Sequence, residues 1–574
     1  TGRESRTGQG GDAVRRVVLC TVICAWGALT VPVLAQEEIR VEIDTGELAG
    51  VRQGGITMFK GIPYAAPPVG PLRWRPPQPV APWARVRAAR RYGPVARQPG
   101  AGGPGMVASE DCLYLNIWRP AQEGESRPVM VFIHGGGFAT GSGAEPLYDG
   151  IELAKQGVVV VTFNYRLGVI GFLAHPQLTA ESTHQSSGNY GLLDQVAALE
   201  WVQRNIHQFG GDPDRVTIFG ESAGGRAVSL LMVSPLADGL FHRAAAQSGA
   251  VRGVSTLLAA REQAGARLAE AVGCADRPDP LRCLRARPFE ELAIAAARFD
   301  TGPIVDGWLI PEDPRVVYAE GRQHDVPMII GGNADEGTFS MLGRRTPITT
   351  VADYEAYVRA SVATGADEVL ARYRAGADDE VYQTLNRFDT DRGVARHARQ
   401  HGRWVSAGRA PTYVYLFARV SPHHRWTGLG ATHTAELPYL FGNLQFAARQ
   451  GRLSTLELAD RRLSQAMMRY WIRFAETGDP NGDGRPVWPA YTDDETLLVL
   501  DGEITTGGWP RADGLDLLDR LFADQPAAGA TEASERRKPL SGCFPASSDQ
   551  RRRDQVTGGA PDAEPRVQSP HGCG

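Results

Sequence analysis

The chain has 574 residues, enough for roughly three or four average domains or for one large enzyme domain with additions. Apolar residues make up 42% and charged residues 22%, ordinary globular usage that excludes a wholly disordered chain. A formal net charge of −4 leaves no basic footprint for nucleic acid, so no nucleic-acid partner is expected.

In chain order the first feature is an apolar run. Arg15 and Arg16 precede Val17 to Val31, and Val33 and Ala35 stand three and one residues before a possible cut. Residues 1–35 therefore read as a secretory signal peptide cleaved after Ala35. A membrane anchor is the alternative, but a run of fifteen residues stopped by Pro32 falls short of the ~20 needed to span. The expected location is secreted or periplasmic, with no stable membrane span after cleavage.

Residues 36–523 read as one continuous globular unit. Short apolar, β-branched runs at Val129 to Ile133, Val158 to Phe163, Val216 to Phe219, Val326 to Ile330 and Tyr413 to Phe417 predict buried strands. Between them, Leu193, Val196, Ala197 and Trp201 recur with helical spacing and predict a helix over Tyr190 to Ile206. Alternating strands and helices predict an α/β fold around a mostly parallel central sheet flanked by helices. Residues 524–574 are rich in Pro, Ala, Gly, Ser and Arg and nearly devoid of large apolar side chains, so a disordered tail is expected.

Cysteine usage fits export. Cys20 and Cys24 fall within the signal, leaving Cys112, Cys274, Cys283, Cys543 and Cys573. Cys274 and Cys283 can close a small loop worth about 2.5–3 kcal/mol, with two free thiols as the alternative.

The chemistry centres on Gly220-Glu221-Ser222-Ala223-Gly224, directly after the strand Val216 to Phe219 and before an apolar helix carrying Ala227, Leu230 and Leu231. A strand running into G-x-S-x-G and a helix running out is the nucleophile elbow, which exposes a serine hydroxyl at the carboxyl edge of a sheet. The segment His134-Gly135-Gly136-Gly137-Phe138 follows an earlier strand. The N–H groups of Gly136, Gly137 and Ala223 then form the expected oxyanion hole. A phosphate-cradling loop is disfavoured because no G-K-[ST] follows. No metal-ligand spacing of the H-E-x-x-H type occurs, and no cofactor is expected.

These motifs, together with Phe59-Lys60-Gly61-Ile62-Pro63-Tyr64-Ala65, Glu110-Asp111-Cys112-Leu113, Gly188-Asn189-Tyr190-Gly191-Leu192-Leu193-Asp194-Gln195 and Thr477-Gly478-Asp479-Pro480-Asn481, resemble the type B carboxylesterases. That family of α/β-hydrolases includes the cholinesterases, and the likeness is to its bacterial, para-nitrobenzyl-esterase-like members over roughly residues 40 to 522. The resemblance implies an α/β-hydrolase fold in a single large catalytic domain. It also implies a serine esterase acting on small-molecule esters through an acyl-enzyme.

The family's acid lies in Asn-x-Asp-Glu-Gly, here Asn333-Ala334-Asp335-Glu336-Gly337, which makes Glu336 the acid. Residue chemistry alone leaves Asp335 as a rival. The family's base precedes Glu-Leu-Pro, which makes it His433, whereas His423 and His424 lack that context and read as surface residues. The order Ser222, Glu336, His433 is that of the α/β-hydrolases. Glu221 and Ser248 resemble the family's buried polar neighbours of the triad, and neither is assigned a catalytic role.

Two departures stand out. Ala96 occupies the position where the family carries the partner of Cys112, so Cys112 is expected to be a buried, unpaired thiol, while Cys274–Cys283 resembles the family's second bridge. The short stretch from Ala96 to Cys112 carries no Trp, which disfavours choline esters. Two alternatives remain. The same triad could cleave amides, thioesters or carbamates, or the chain could be a non-catalytic adhesion homologue, although that reading requires loss of a triad residue.

Overall fold

In the computed structural model, residues 37–522 are described apart from 101–105, 125, 252–255, 300, 363, 446–455 and 483. The expected signal peptide and tail lie outside the described residues. Twelve strands build the main path of one sheet: β1 (Glu37–Ile43), β2 (Gly46–Gln53), β3 (Ile56–Pro63), β4 (Tyr114–Pro120), β5 (Arg127–Ile133), β6 (Val159–Phe163), β7 (Gly211–Glu221), β8 (Arg243–Gln247), β9 (Met328–Asn333), β10 (Thr412–Phe417), β11 (Leu497–Leu500) and β12 (Ile504–Gly507). Their spatial order is β1-β2-β3-β4-β6-β5-β7-β8-β9-β10-β11-β12, and a thirteenth strand, Arg87–Ala88, pairs with β2. From β6 through β11 every neighbouring pair is parallel. The flanks, β1 to β4 and β12, are antiparallel.

The parallel run explains the continuous apolar stretches in the sequence. Side chains of a strand alternate between faces, and here both faces are covered. Val129, Val131 and Ile133 of β5 join one core cluster, whereas Met130 and Phe132 join the other. The helices packed on the sheet include α1 (Tyr190–Asn205), α2 (Ala223–Leu231), α4 (Arg396–Ser406) and α5 (Leu458–Thr477), while α3 (Val381–Thr390) and α6 (Ala512–Phe522) pack on other helices. A satellite core of Tyr354, Val358, Val369, Leu385, Phe388 and Leu518 joins α3 and α6 to the two helices between residues 351 and 372.

The five expected strands and the expected helix are present with shifted ends. The chain enters β9 two residues later than expected, because Pro327 carries no N–H for the ladder. Helix α1 stops at Asn205 and tightens into a 3-10 turn, Ile206–Phe209. Asp194 on α1 lies fully buried in a bidentate pair with Arg166, at 2.7 and 2.8 Å, which ties the helix to the loop after β6. Removing one partner of such a buried pair typically costs about 3–5 kcal/mol. The Cys274–Cys283 bridge is formed, and Cys112 is a free, buried thiol whose pKa burial pushes well up. Among the described residues no helix is long and apolar enough to cross a membrane.

His401 on α4 is fully buried against Tyr318, at 4.5 Å between ring centres, and neither ring nitrogen has a partner among the described residues. Burial lowers its pKa from 6.5 to about 3. The unfolded chain takes up this proton below pH 6.5 while the folded chain refuses it, so the associated stability is complete above pH 6.5 and is lost as pH falls toward 3. His401→Leu is expected to flatten the acid limb of a Tm-against-pH curve, removing up to about 1.4 kcal/mol of slope per pH unit. An unchanged limb would show that His401 does not carry this proton linkage.

Candidate active site

Because the central strands are parallel, their carboxyl ends share one edge of the sheet, and the expected site residues all follow strands at that edge. Ser222 joins β7 to α2 with φ 58° and ψ −120°, a conformation few non-glycine residues adopt and one that typically stores about 1–3 kcal/mol. The turn is held on both sides. Ser222 N–H donates to the Gln247 carbonyl at 2.8 Å, and Arg226 N–H donates to the Ser222 carbonyl at 2.9 Å.

The elbow depends on Gly224. A Cβ there would stand 1.9 Å from the Ile133 carbonyl oxygen, on a backbone fixed in the sheet. Gly224→Ala is therefore expected to destabilise the protein by about 3 kcal/mol, read as a drop in Tm. Retention of wild-type Tm would show that the elbow can yield.

The glycine loop after β5 lies against the elbow, so close that a Cβ on Gly135 would meet Ser222 Cβ at 3.2 Å. Gly136 and Gly137 are exposed, and their N–H groups have no backbone acceptor among the described residues. Ala223 opens α2, where the first N–H groups of a helix lack intrahelical partners. Beneath the loop His134 is buried, stacked on Tyr165 at 4.3 Å, with Nδ1 2.9 Å from the Gly135 carbonyl. Burial lowers its pKa to about 4, so His134 is a neutral support for the loop.

Glu336 follows β9 and His433 follows β10. His433 Nδ1 lies 2.6 Å from Glu336 Oε2. Glu336 Oε1 accepts from Ser248 Oγ at 2.5 Å and from Asn333 N–H at 2.9 Å. Burial alone would raise the Glu336 pKa; the charge of His433 and these hydrogen bonds together hold it below the ordinary carboxylate range. The rival Asp335 is turned elsewhere: it accepts from Asn386 Nδ2 and from Ala431 N–H, each at 2.7 Å. His423 and His424 lie partly exposed on the short helix Pro422–Thr427, none of whose residues is buried.

The other imidazole nitrogen, His433 Nε2, lies 3.1 Å from Glu221 Oε1. Among the described residues the imidazole is thus hydrogen-bonded to Glu336 and only in ion-pair contact with Glu221, whose Oε1 accepts no hydrogen bond, and Ser222 Oγ is not among its partners. Glu436 is the residue the sequence reading used only as part of a motif. It is fully buried and accepts from Asn333 Nδ2 at 2.6 Å and Gln247 Nε2 at 3.3 Å. Its signal was its place three residues after His433, within the motif that located the base. Burial raises Glu221 to about 8 and Glu436 to about 7. Burial opposes a charge on His433, but the charges of Glu221, Glu336 and Glu436 outweigh it and raise the imidazole above its ordinary value, least when Glu221 and Glu436 hold their protons. The Phe339 ring stands 4.9 Å from His433 and is half exposed, forming one wall beside the imidazole.

Comparison with known proteins places the chain in a family. The carboxylesterase family profile matches residues 37–507. The chain belongs to the carboxylesterase family. Fumonisin B1 esterase of Sphingopyxis macrogoltabida is 38% identical over 504 residues, covering 84% of this chain and 90% of the relative. Para-nitrobenzyl esterase of Bacillus subtilis (strain 168) is 36% identical over 493 residues, covering 82% and 96%. A solved PNB esterase structure superposes with a TM-score of 0.74 at 34% identity, covering 83% of this chain and 99% of that one. This carboxylesterase therefore has the α/β-hydrolase fold and is a carboxylic-ester hydrolase acting on small-molecule esters.

Proposed function

We propose that ester hydrolysis proceeds through an acyl-enzyme on Ser222, with His433 as general base and Glu336 as its orienting acid. The observation that carries this reading is the 2.6 Å pair between His433 Nδ1 and Glu336 Oε2, beside a serine held in a strained elbow. The Ser222 hydroxyl turns to His433 Nε2, gives up its proton and attacks the acyl carbonyl. The N–H groups of Gly136, Gly137 and Ala223 receive the oxyanion of the tetrahedral intermediate, each donor being worth roughly 10²–10³ in rate. His433 then protonates the leaving alcohol. Water repeats the sequence on the acyl-enzyme and releases the carboxylic acid.

The surrounding carboxyls set the base. When Glu221 and Glu436 hold their protons, Glu336 is the ionised partner of the imidazole, and it stabilises the imidazolium formed during each transfer. Export completes the proposal. The Cys274–Cys283 bridge suits an oxidising compartment, consistent with residues 1–35 as a signal peptide and 36–523 as the mature domain.

A fluorophosphonate probe is expected to label the protein once, on the peptide carrying Ser222, and to abolish turnover of p-nitrophenyl acyl esters in proportion. Parallel assays on a p-nitroanilide series separate ester from amide cleavage. Folded protein that neither takes the label nor turns over an ester would overturn the proposal.

A further inference from the structure

The residues on either side of Glu336 are pinned to one helix by a continuous chain of hydrogen bonds. Gly337 N–H donates to Thr390 Oγ1 at 2.9 Å, Thr390 Oγ1 donates to Asn386 Oδ1 at 3.2 Å, and Asn386 Nδ2 donates to Asp335 Oδ1 at 2.7 Å. Asn386 and Thr390 are buried on α3, whose far side packs in the satellite core through Leu385 and Phe388. The second oxygen of Asp335 accepts the Ala431 N–H at 2.7 Å, while Asp335 N–H donates to the Ala431 carbonyl at 3.0 Å. Ala431 stands two residues before His433. One carboxylate thus joins three elements: the loop of Glu336, the loop of His433 and α3.

We infer that Asp335 is a positioning residue, holding the Glu336 loop and the His433 loop in register through its clamp on Asn386 and Ala431. The inference rests on Glu336 and His433 acting as acid and base, but its geometry does not. Asp335 suits the task because only a carboxylate presents two acceptor oxygens. One faces an amide that must donate, since the Asn386 oxygen is already used by Thr390, and the other faces a backbone N–H. An amide at position 335 satisfies one donor and turns its own N–H₂ on the other. Displacing the acid's loop by a fraction of an ångström loosens the 2.6 Å contact with His433 without touching substrate.

The test is an exchange of the two side chains. Asp335→Asn places two donors face to face, and Asn386→Asp places two carboxylates face to face. The double variant restores one donor and one acceptor, and its new carboxylate at 386 still accepts from Thr390. In the full-length protein each single variant is expected to lower kcat on p-nitrophenyl esters about 10–100-fold with KM unchanged. Each is also expected to shift or broaden the low-field NMR resonance of the His433 Nδ1 proton. The double variant is expected to recover both readings to within about threefold of wild type in kcat.

If Asp335→Asn keeps wild-type kcat and resonance, or the double variant recovers neither, the inference is overturned. The resonance reports the acid–base contact whether or not the protein turns over the ester, so failure of the clamp and failure of the serine mechanism give different results. Should Asp335→Asn fold poorly, comparison of Asn386→Asp with the double variant reads the same exchange.

Discussion

Ser222→Ala is expected to lower kcat for p-nitrophenyl esters by about 10⁴–10⁶-fold while leaving the fold intact. The fold survives because alanine keeps the β-carbon and the same backbone demand at φ 58°, and the elbow is held by main-chain bonds to Gln247 and Arg226 that the substitution does not touch. The proposed chemistry does not survive, because Gly220-Glu221-Ser222-Ala223-Gly224 carries no other hydroxyl. A residual rate above that in water is expected from the oxyanion donors and substrate binding alone. Steady-state kinetics beside a thermal melt check both halves. Retained turnover would place the nucleophile elsewhere.

Glu336→Gln is expected to cost about 10³–10⁴-fold in kcat, with KM and Tm nearly unchanged. The reason is specific to the donors around this carboxyl. Oε1 receives two of them, Ser248 Oγ and Asn333 N–H, so the single oxygen of a glutamine amide settles there. Its N–H₂ then faces His433 Nδ1, which must accept. The ring proton moves to Nε2, the nitrogen that has to take the serine proton. Loss arises from the wrong tautomer in an otherwise unaltered site, which a pH–rate profile and the low-field imidazole resonance can follow. Wild-type kcat in this variant would remove Glu336 from the mechanism and return attention to Glu221.

Much of this protein was legible in the residues themselves. The parallel strands announced themselves because burial on both faces demands unbroken apolar runs, as in Val129 to Ile133. The antiparallel flanks were not read. Strands such as Glu37–Ile43 alternate exposed and buried residues over only a few positions, and their meaning depends on the partner that pairs with them. The elbow was legible because its steric demand is local: Gly224 must be glycine wherever the turn sits against Ile133.

Ester-hydrolase chemistry and the proposed places of its parts could be read from the residues, since a strained turn and a glycine-rich loop each need particular residues at particular spacings. How those parts face one another was settled only by folding. Asp335 and Glu336 are chemically equivalent neighbours, and the chain sets them apart by pointing one at Asn386 and Ala431 and the other at Ser248 and His433. Likewise three glutamates far apart in sequence gather around one imidazole, and its own burial, opposed by their charges, sets its proton affinity. Distances between segments brought together by folding, and the loss of water around them, are properties of the packed molecule that no local pattern encodes.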